Sequence, residues 1–408
     1  YLTRKNDLLP DSMRRSRNDP NPYISPRLEA QPLTRLSLYV HWPYCPSRCH
    51  YCDFNAYAVG RDPSRLFDDY QTALKTELKG RLGQIHERMG ARPWSAGSIF
   101  FGGGTPSLAP PEMIEEMIAL IGNLLPVSQS TEITLEANPG TVSTKGLCAF
   151  RKSGINRLSL GIQSLRNTEL RFLGRLHDAH TARRAVDCVR EAGFENYSID
   201  LIYGLPAQAL RDWEESLEGA LEFSSPHISA YELTLEPGTL LAGRLDFTLE
   251  EDRLNEMHLR AEEKLEAAGY EHYEISNYAR PGFRCRHNIH DWTGGECLGL
   301  GAGAHSYLDG VRSRNVRLPE DYRASVLKQG HAVEETERLP PRQAAGEAVM
   351  LGLRIKEGID LAALGERTGS RPLEDFAGPL REMVDDGRLI PDGSRIRLSD
   401  SGRLLADA

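Results

Sequence analysis

Beginning at Leu36, apolar and polar positions alternate in short bursts separated by longer stretches with helical spacing. Six bursts stand out: LSLYVHW, which starts at Leu36, SIFFGG (98–103), EITLEAN (132–138), RLSLGIQ (157–163), YSIDLIYG (197–204) and HISAYELT (227–234). Each is rich in β-branched, aromatic or other apolar residues and ends in a polar or glycine-containing turn, as strands do. Between the first two, Phe67, Tyr70, Leu74 and Leu78 recur every three or four residues, and Met113, Met117, Ile118 and Ile121 before the third fall on one helical face by the same spacing, Met113 to Met117 and Ile118 to Ile121. That spacing predicts helices with one apolar face. Strand and helix in alternation predict an α/β fold, a partial (β/α)6 barrel built by right-handed crossovers. All strand C-termini then share one face, where the chemistry of such barrels sits.

The pattern changes after a helix expected over about 250–270. The stretch YEISNYARPGFRCRHNIHDWTGGECLGLGAGAHS is dense in Gly, His and aromatics and reads as a connector with a job. Beyond it, AAGEAVMLGLR, LAALGERTG and LEDFAGPLREMVDDG read as helices and LIPDGSRIRLSDSG as a hairpin, the order of a winged helix. Acidic residues outnumber basic ones there, so packing or a protein partner suits it better than DNA. The expected division is a flexible leader over 1–35, the barrel over 36–268, the connector over 269–335 and a smaller winged-helix-like α+β domain over 336–408.

Composition narrows the functional classes. With 40% hydrophobic and 26% charged residues the chain is ordinary for a globular protein. No apolar run reaches the roughly 18 residues of a membrane span. The net charge of -9 argues against nucleic acid as the main partner. The first residues mix Arg with Asp and Pro and lack an apolar stretch, which excludes a secretory signal and suggests Met13 as the start. Seven cysteines, three of them crowded between Cys45 and Cys52, make a poor disulfide set and fit a reducing, cytoplasmic setting.

Those three, Cys45, Cys49 and Cys52, have CxxxCxxC spacing directly after the first strand. Three thiolates on a short loop can ligate three irons of a [4Fe-4S] cluster and leave the fourth open. This is the signature of the radical S-adenosylmethionine (SAM) class, in which SAM chelates the open iron and is cleaved to a 5′-deoxyadenosyl radical by an electron that a donor must supply. Zinc, with His41 or His50 as fourth ligand, is the competing reading, but zinc loops usually pair CxxC motifs. Cys148, Cys188, Cys285 and Cys297 read as structural thiols.

The second strand ends in Gly102, Gly103, Gly104, Thr105 and Pro106. Consecutive glycines let backbone groups approach a ligand closely, as a SAM-holding turn requires. Glu136 and Asn138, Gln163 and Asp200 put polar groups at the ends of later strands, where a lined pocket needs them. Arg175 could answer a ligand carboxylate by bidentate pairing.

Together HWPYCPSRCHYCDF, FFGGGTPSL, LEANPG, LSLGIQS, IDLIYGLP and YEISNYARPG resemble the HemN and HemW group of radical SAM proteins, from about Leu36 to the C-terminus. The resemblance implies Cys45, Cys49 and Cys52 as cluster ligands. It implies Tyr39, Tyr51, Gly103, Gly104, Thr105, Glu136, Gln163, Arg175 and Asp200 around SAM. The group has two branches, an oxygen-independent coproporphyrinogen III oxidase of porphyrin biosynthesis and a haem chaperone. The oxidase resembles CxxxCxxCxC, whereas Phe54 stands at the fourth thiol here, and no RYTSYP-like segment precedes Leu36. The chaperone branch carries HNxxYW, matched here by His287, Asn288, Ile289, His290, Asp291 and Trp292, with Asp291 in place of Tyr.

The resemblance therefore implies a haem chaperone that binds a cluster, SAM and haem and delivers haem to apo-haemoproteins. His287 would ligate iron, with Asn288 and Trp292 beside the macrocycle and His290 a second possible ligand. Asp291 could tune a histidine instead, and His305, in GAGAHS, reads as a turn cap. Enzymatic turnover, homodimerisation and peripheral membrane contact stay open.

Overall fold

The computed structural model describes residues 34–59, 64–89, 94–243 and 250–406; the expected leader through Leu33 and the start at Met13 lie outside them. The six predicted runs are strands β1 (Thr34–Trp42), β2 (Trp94–Gly103), β3 (Glu132–Ala137), β4 (Arg157–Gln163), β5 (Tyr197–Tyr203) and β6 (His227–Glu232). They pair in parallel in chain order. Helices α1 (Ser64–Met89), α2 (Pro111–Leu124), α3 (Thr144–Lys152), α4 (Asn167–Phe172), α5 (Ala179–Glu191) and α6 (Leu210–Glu222) make the crossovers.

Alternation along each strand decides what faces where. On β1, Leu36, Leu38, Val40 and Trp42 are buried in one core with Tyr70, Leu74 and Leu78 of α1. Each such side chain contributes about 1.5–3 kcal/mol by leaving water. The intervening residues face the barrel interior and are polar: Ser37 Oγ lies 2.8 Å from Ser98 Oγ of β2, and Tyr39 Oη lies 3.0 Å from His41 Nδ1. Polar inward positions of this kind can line a ligand site where the strands end, at the C-terminal face.

The connector joins the same sheet. After α7 (Glu251–Ala267), β7 (Glu271–Glu274) and β8 (Asn277–Ala279) add antiparallel strands beyond β6. Helix α8 (Arg286–Trp292) follows, and then β9 (Cys297–Leu300) pairs in parallel with β1, Ser37 opposite Cys297 and Val40 opposite Leu300. It is a seventh parallel strand, added on the open side of β1. Strands β10 (His305–Leu308), β11 (Val311–Asn315) and, after α9 (Pro319–Gln329), β12 (Val333–Arg338) continue it antiparallel. The sheet of 12 strands runs β12-β11-β10-β9-β1-β2-β3-β4-β5-β6-β8-β7. One buried carboxylate locks this extension to α1: Glu77 accepts from Gly301 N at 2.8 Å, Asn315 Nδ2 at 2.6 Å and Tyr322 Oη at 2.7 Å.

The C-terminal unit comprises α10 (Pro341–Gly352), β13 (Ile359–Asp360), α11 (Leu361–Thr368), α12 (Pro372–Asp375), α13 (Ala377–Asp385) and the hairpin β14 (Leu389–Asp392) and β15 (Arg395–Leu398). Its small core gathers Ala345, Leu361, Leu364, Leu389, Ile396 and Leu398 around Ile275 of the barrel side. Among the described residues no helix is long and apolar enough to cross a membrane.

Candidate functional site

The three thiols sit on the loop that leaves β1 at the C-terminal face. Tyr44 anchors this loop in an aromatic cluster, 5.6 Å from Trp42, 5.5 Å from Phe67 and 5.3 Å from Tyr70. Backbone bonds from Gly104 N to Trp42 O, 2.6 Å, and from Thr105 N to Tyr44 O, 2.9 Å, tie the loop to the glycine turn. Cys45 is buried, Cys49 and Cys52 are half-buried, and all three are free thiols. Thr105 Oγ1 donates to Cys45 Sγ at 3.3 Å, and Arg175 Nη1 donates to Cys49 Sγ at 3.4 Å. Burial pushes the Cys52 thiol up to about 11, so a metal binding there must displace its proton.

The thiols line one wall of a cavity of about 420 Å³ inside the barrel mouth. Tyr51, Gly103, Gly104, Thr105, Glu136, Gln163, Arg175 and Asp200 line it as well, so eight of the nine residues expected around SAM come together with the cysteines. Tyr39 is the exception: it faces a neighbouring cavity. The Nδ1 of His50 lies 2.8 Å from Phe172 O, and His41 is held by Tyr39 and by Asn55 O at 3.0 Å. Neither histidine lines the thiol cavity, which argues against a Cys₃His zinc site.

The cavity's polar groups are fixed by neighbouring strands. Gly103 holds a φ of 114°, and a Cβ there would stand 2.5 Å from the His41 ring. Its N–H instead donates to Glu136 Oε2 at 3.0 Å. Burial, offset by that bond and reinforced by the charge of Asp200, pushes the Glu136 carboxyl up to about 7. Asp200 accepts from Ser159 Oγ at 2.6 Å, Ser198 Oγ at 2.8 Å and Ser229 Oγ at 2.8 Å, one serine from each of β4, β5 and β6. Gln163 ends β4 with a φ of 69°, a strained backbone that ends the strand at the cavity wall. Arg175 donates to Asn138 Oδ1 and to Gly161 O, the latter at 2.6 Å.

Helix α8, which carries the HNIHDW stretch, closes the barrel from below. Glu132 accepts from Arg286 N at 3.0 Å and His287 N at 3.1 Å, holding the helix N-terminus at the foot of β3. His287 is 5% exposed, with its ring stacked 4.8 Å from Phe100, Nδ1 2.8 Å from Ser98 Oγ and Nε2 3.5 Å from Asp291. Asn288 lines the thiol cavity, and Trp292 lies under the Arg354 guanidinium at 4.7 Å. His290 Nε2 lies 2.9 Å from Glu296 O. The structure thus places Asn288 at the cavity and packs His287 behind Phe100, which lines it.

A second cavity, of about 630 Å³, lies between the β9–β11 edge and α10. It shares Asp53, Phe54, Gly103 and Glu136 with the first. Phe54, 59% exposed where the oxidase pattern has a cysteine, stands at the border of the two. His305 opens β10 instead of capping a turn, and its ring makes no hydrogen bond among the described residues. Arg157 and the serines under Asp200 were missed in the sequence, because a strand's inward positions are known only once its register is.

A β/α array that brings a three-thiol loop, a glycine turn and buried carboxylates to one cavity defines a radical SAM protein, and residues 39–220 match the Radical SAM superfamily model. Residues 339–405 match the model of the HemN C-terminal domain. The chain is 33% identical over 378 residues to heme chaperone HemW of Bacillus subtilis, covering 91% of this chain and 97% of that one. It is 33% identical over 378 residues to heme chaperone HemW of Escherichia coli, covering 92% and 97%. Against the mouse mitochondrial radical S-adenosyl methionine domain-containing protein 1 it is 34% identical over 391 residues, covering 92% and 86%. The chain belongs to the HemW family. Among solved structures, the radical SAM coproporphyrinogen III oxidase HemN of Escherichia coli superposes with a TM-score of 0.79 at 24% identity, over 92% of this chain and 89% of that one. At that identity the likeness speaks for the fold alone.

Proposed function

We propose that the chain is a haem chaperone on a radical SAM scaffold, holding a [4Fe-4S] cluster and SAM in the smaller cavity and delivering haem to apo-haemoproteins. The observation that carries this reading is the pair of adjoining cavities, one with the thiols and one without, in a chain that aligns along nearly its whole length with heme chaperones.

Cys45, Cys49 and Cys52 supply three soft thiolate ligands, the donor set of a site-differentiated cluster. Bound there, the cluster supplies an electron that can cleave the S–C5′ bond of SAM. The chain's own groups do the binding. The glycine turn gives backbone atoms close approach, Glu136 and Asp200 offer acceptors to cationic and hydroxyl groups, and Arg175 offers a fork to a carboxylate. A cation brought next to Glu136 would favour its ionised form against the burial that raises its pKa. Phe54 cannot serve as a fourth thiol ligand, which sets the chain apart from the oxidase pattern.

The test is haem titration into anaerobically reconstituted protein, followed by mixing with an apo-haemoprotein that has its own Soret band. Tight binding and transfer are expected. Failure to bind haem, or turnover of coproporphyrinogen III under reducing conditions with SAM, would sink the chaperone reading.

A further inference from the structure

The walls of the larger cavity are chemically unlike one another. Strands β10 and β11 pair antiparallel with His305 opposite Arg314 and Tyr307 opposite Arg312. Directly opposed residues share a face of the sheet, and all four line the cavity. The facing wall is helix α10, which presents Ala344, Ala348 and Leu351. A slot with an aliphatic wall on one side and imidazole and guanidinium groups on the other suits a flat apolar ring that carries acidic side chains.

Four histidines lie at or near this slot, and three have at least one ring nitrogen engaged. His41 bridges Tyr39 Oη and Asn55 O, each at 3.0 Å. His290 reaches Glu296 O at 2.9 Å. His287 does not line the slot; its ring is packed on Phe100 and bonded to Ser98 beneath the barrel. His305 differs: it lines the slot, it is exposed, and its ring makes no hydrogen bond among the described residues. Partial burial and the charges of Arg314, Arg312 and Arg317 hold its pKa below the ordinary value, which keeps a lone pair available.

The arginines divide by partner. Arg312 is paired with Glu337 at 2.6 Å and with Glu347, and Arg314 with Glu335 at 2.8 Å and Glu334 at 3.2 Å. Arg317 lines the slot, is exposed and makes no ion pair among the described residues. Arg367 also lines the slot without an ion pair among the described residues, but it donates Nη1 to Thr293 O, which leaves Arg317 the guanidinium best placed to take a new carboxylate.

We infer that haem is carried in this slot between the β10–β11 edge and α10, with His305 as an axial ligand of its iron and Arg317 anchoring a propionate. This rests on the haem-chaperone reading and moves the iron ligand from the HNIHDW helix to the GAGAHS strand. Asp291 is the residue of that helix that reaches the slot.

The experiment compares wild type, His305→Ala, Arg317→Glu and His287→Gln, all anaerobically reconstituted, by haem titration and by Soret-excited resonance Raman of the ferrous complex. His305→Ala is expected to lose the Fe–His stretching mode and about tenfold or more in affinity. Added imidazole should restore the mode, which a merely structural defect would not allow. Arg317→Glu should weaken haem binding but not that of the haem dimethyl ester. His287→Gln should keep the mode. If His305→Ala keeps it, or His287→Gln is the variant that loses it, the assignment to this slot is overturned while the chaperone reading stands; a wild type that binds no haem overturns both.

Discussion

The Nη1 of Arg175 lies 3.4 Å from the sulfur of Cys49, so a guanidinium from beyond β4 reaches across the cavity to the thiol loop. A fixed cation beside a ligand sulfur stabilises the more negative, reduced form of a cluster. Arg175→Gln should therefore assemble the cluster but lower its midpoint potential, read by EPR-monitored redox titration. SAM affinity should fall by roughly tenfold if the guanidinium also takes the SAM carboxylate. An unchanged potential would show that the arginine serves only to brace Asn138 and Gly161.

The glycine turn tolerates no side chain at Gly104, because a Cβ there would sit 2.8 Å from Tyr44 O and 2.9 Å from Trp42 O. Those carbonyls stand where β1 ends and the thiol loop begins, so the strain would be delivered to the loop proposed to hold the cluster. Gly104→Ala should lower stability by about 1–3 kcal/mol and abolish SAM binding by equilibrium dialysis. Full retention of both would mean that the loop yields more easily than its aromatic anchor suggests.

Burial pushes the Glu77 carboxyl up to about 7, against the opposing pull of Tyr322, Gly301, Asn315 and Arg81. The folded chain thus keeps a proton that the unfolded chain releases near the ordinary carboxyl value of 4.5. Its contribution is full below that value and declines as pH rises to about 7, by an amount on the order of 3 kcal/mol. Thermal unfolding of the SAM-free protein should show the melting temperature falling across this window. In Glu77→Gln the slope should flatten; an identical slope would assign the proton elsewhere, with Glu136 the next group to examine.

Phe54 is 59% exposed, so Phe54→Cys should change stability by no more than about 0.5 kcal/mol. On the proposed reading three thiols already complete the ligand set. Iron and sulfide content should stay at the wild-type level, and no coproporphyrinogen oxidase activity should appear. Gain of that activity would mean that a single side chain separates the two branches of the group.

Much of this architecture is legible in the chain. The six core strands announce themselves because Leu36, Leu38 and Val40, and their counterparts, must face helices while their neighbours do not. Cys45, Cys49 and Cys52 are legible by spacing, and Glu136 and Asp200 stand out as carboxylates inside apolar runs. The strand Cys297–Leu300 is not legible: its apolar residues are interrupted by glycine, and its partner β1 lies near the other end of the chain. Ser159, Ser198 and Ser229 escape notice because serine is small and uncharged, and only strand register brings the three to one carboxylate. His305 looks like a turn residue until the β10–β11 hairpin shows which way its strand runs.

Asp53, Phe54, Gly103 and Glu136 belong to both cavities at once. On the proposed reading SAM and haem would press on the same partition, and any coupling between them is reciprocal. If SAM changes haem affinity by some factor, haem must change SAM affinity by the same factor. Cargo release can then be timed by whatever governs the occupancy of the neighbouring cavity, without a separate moving part.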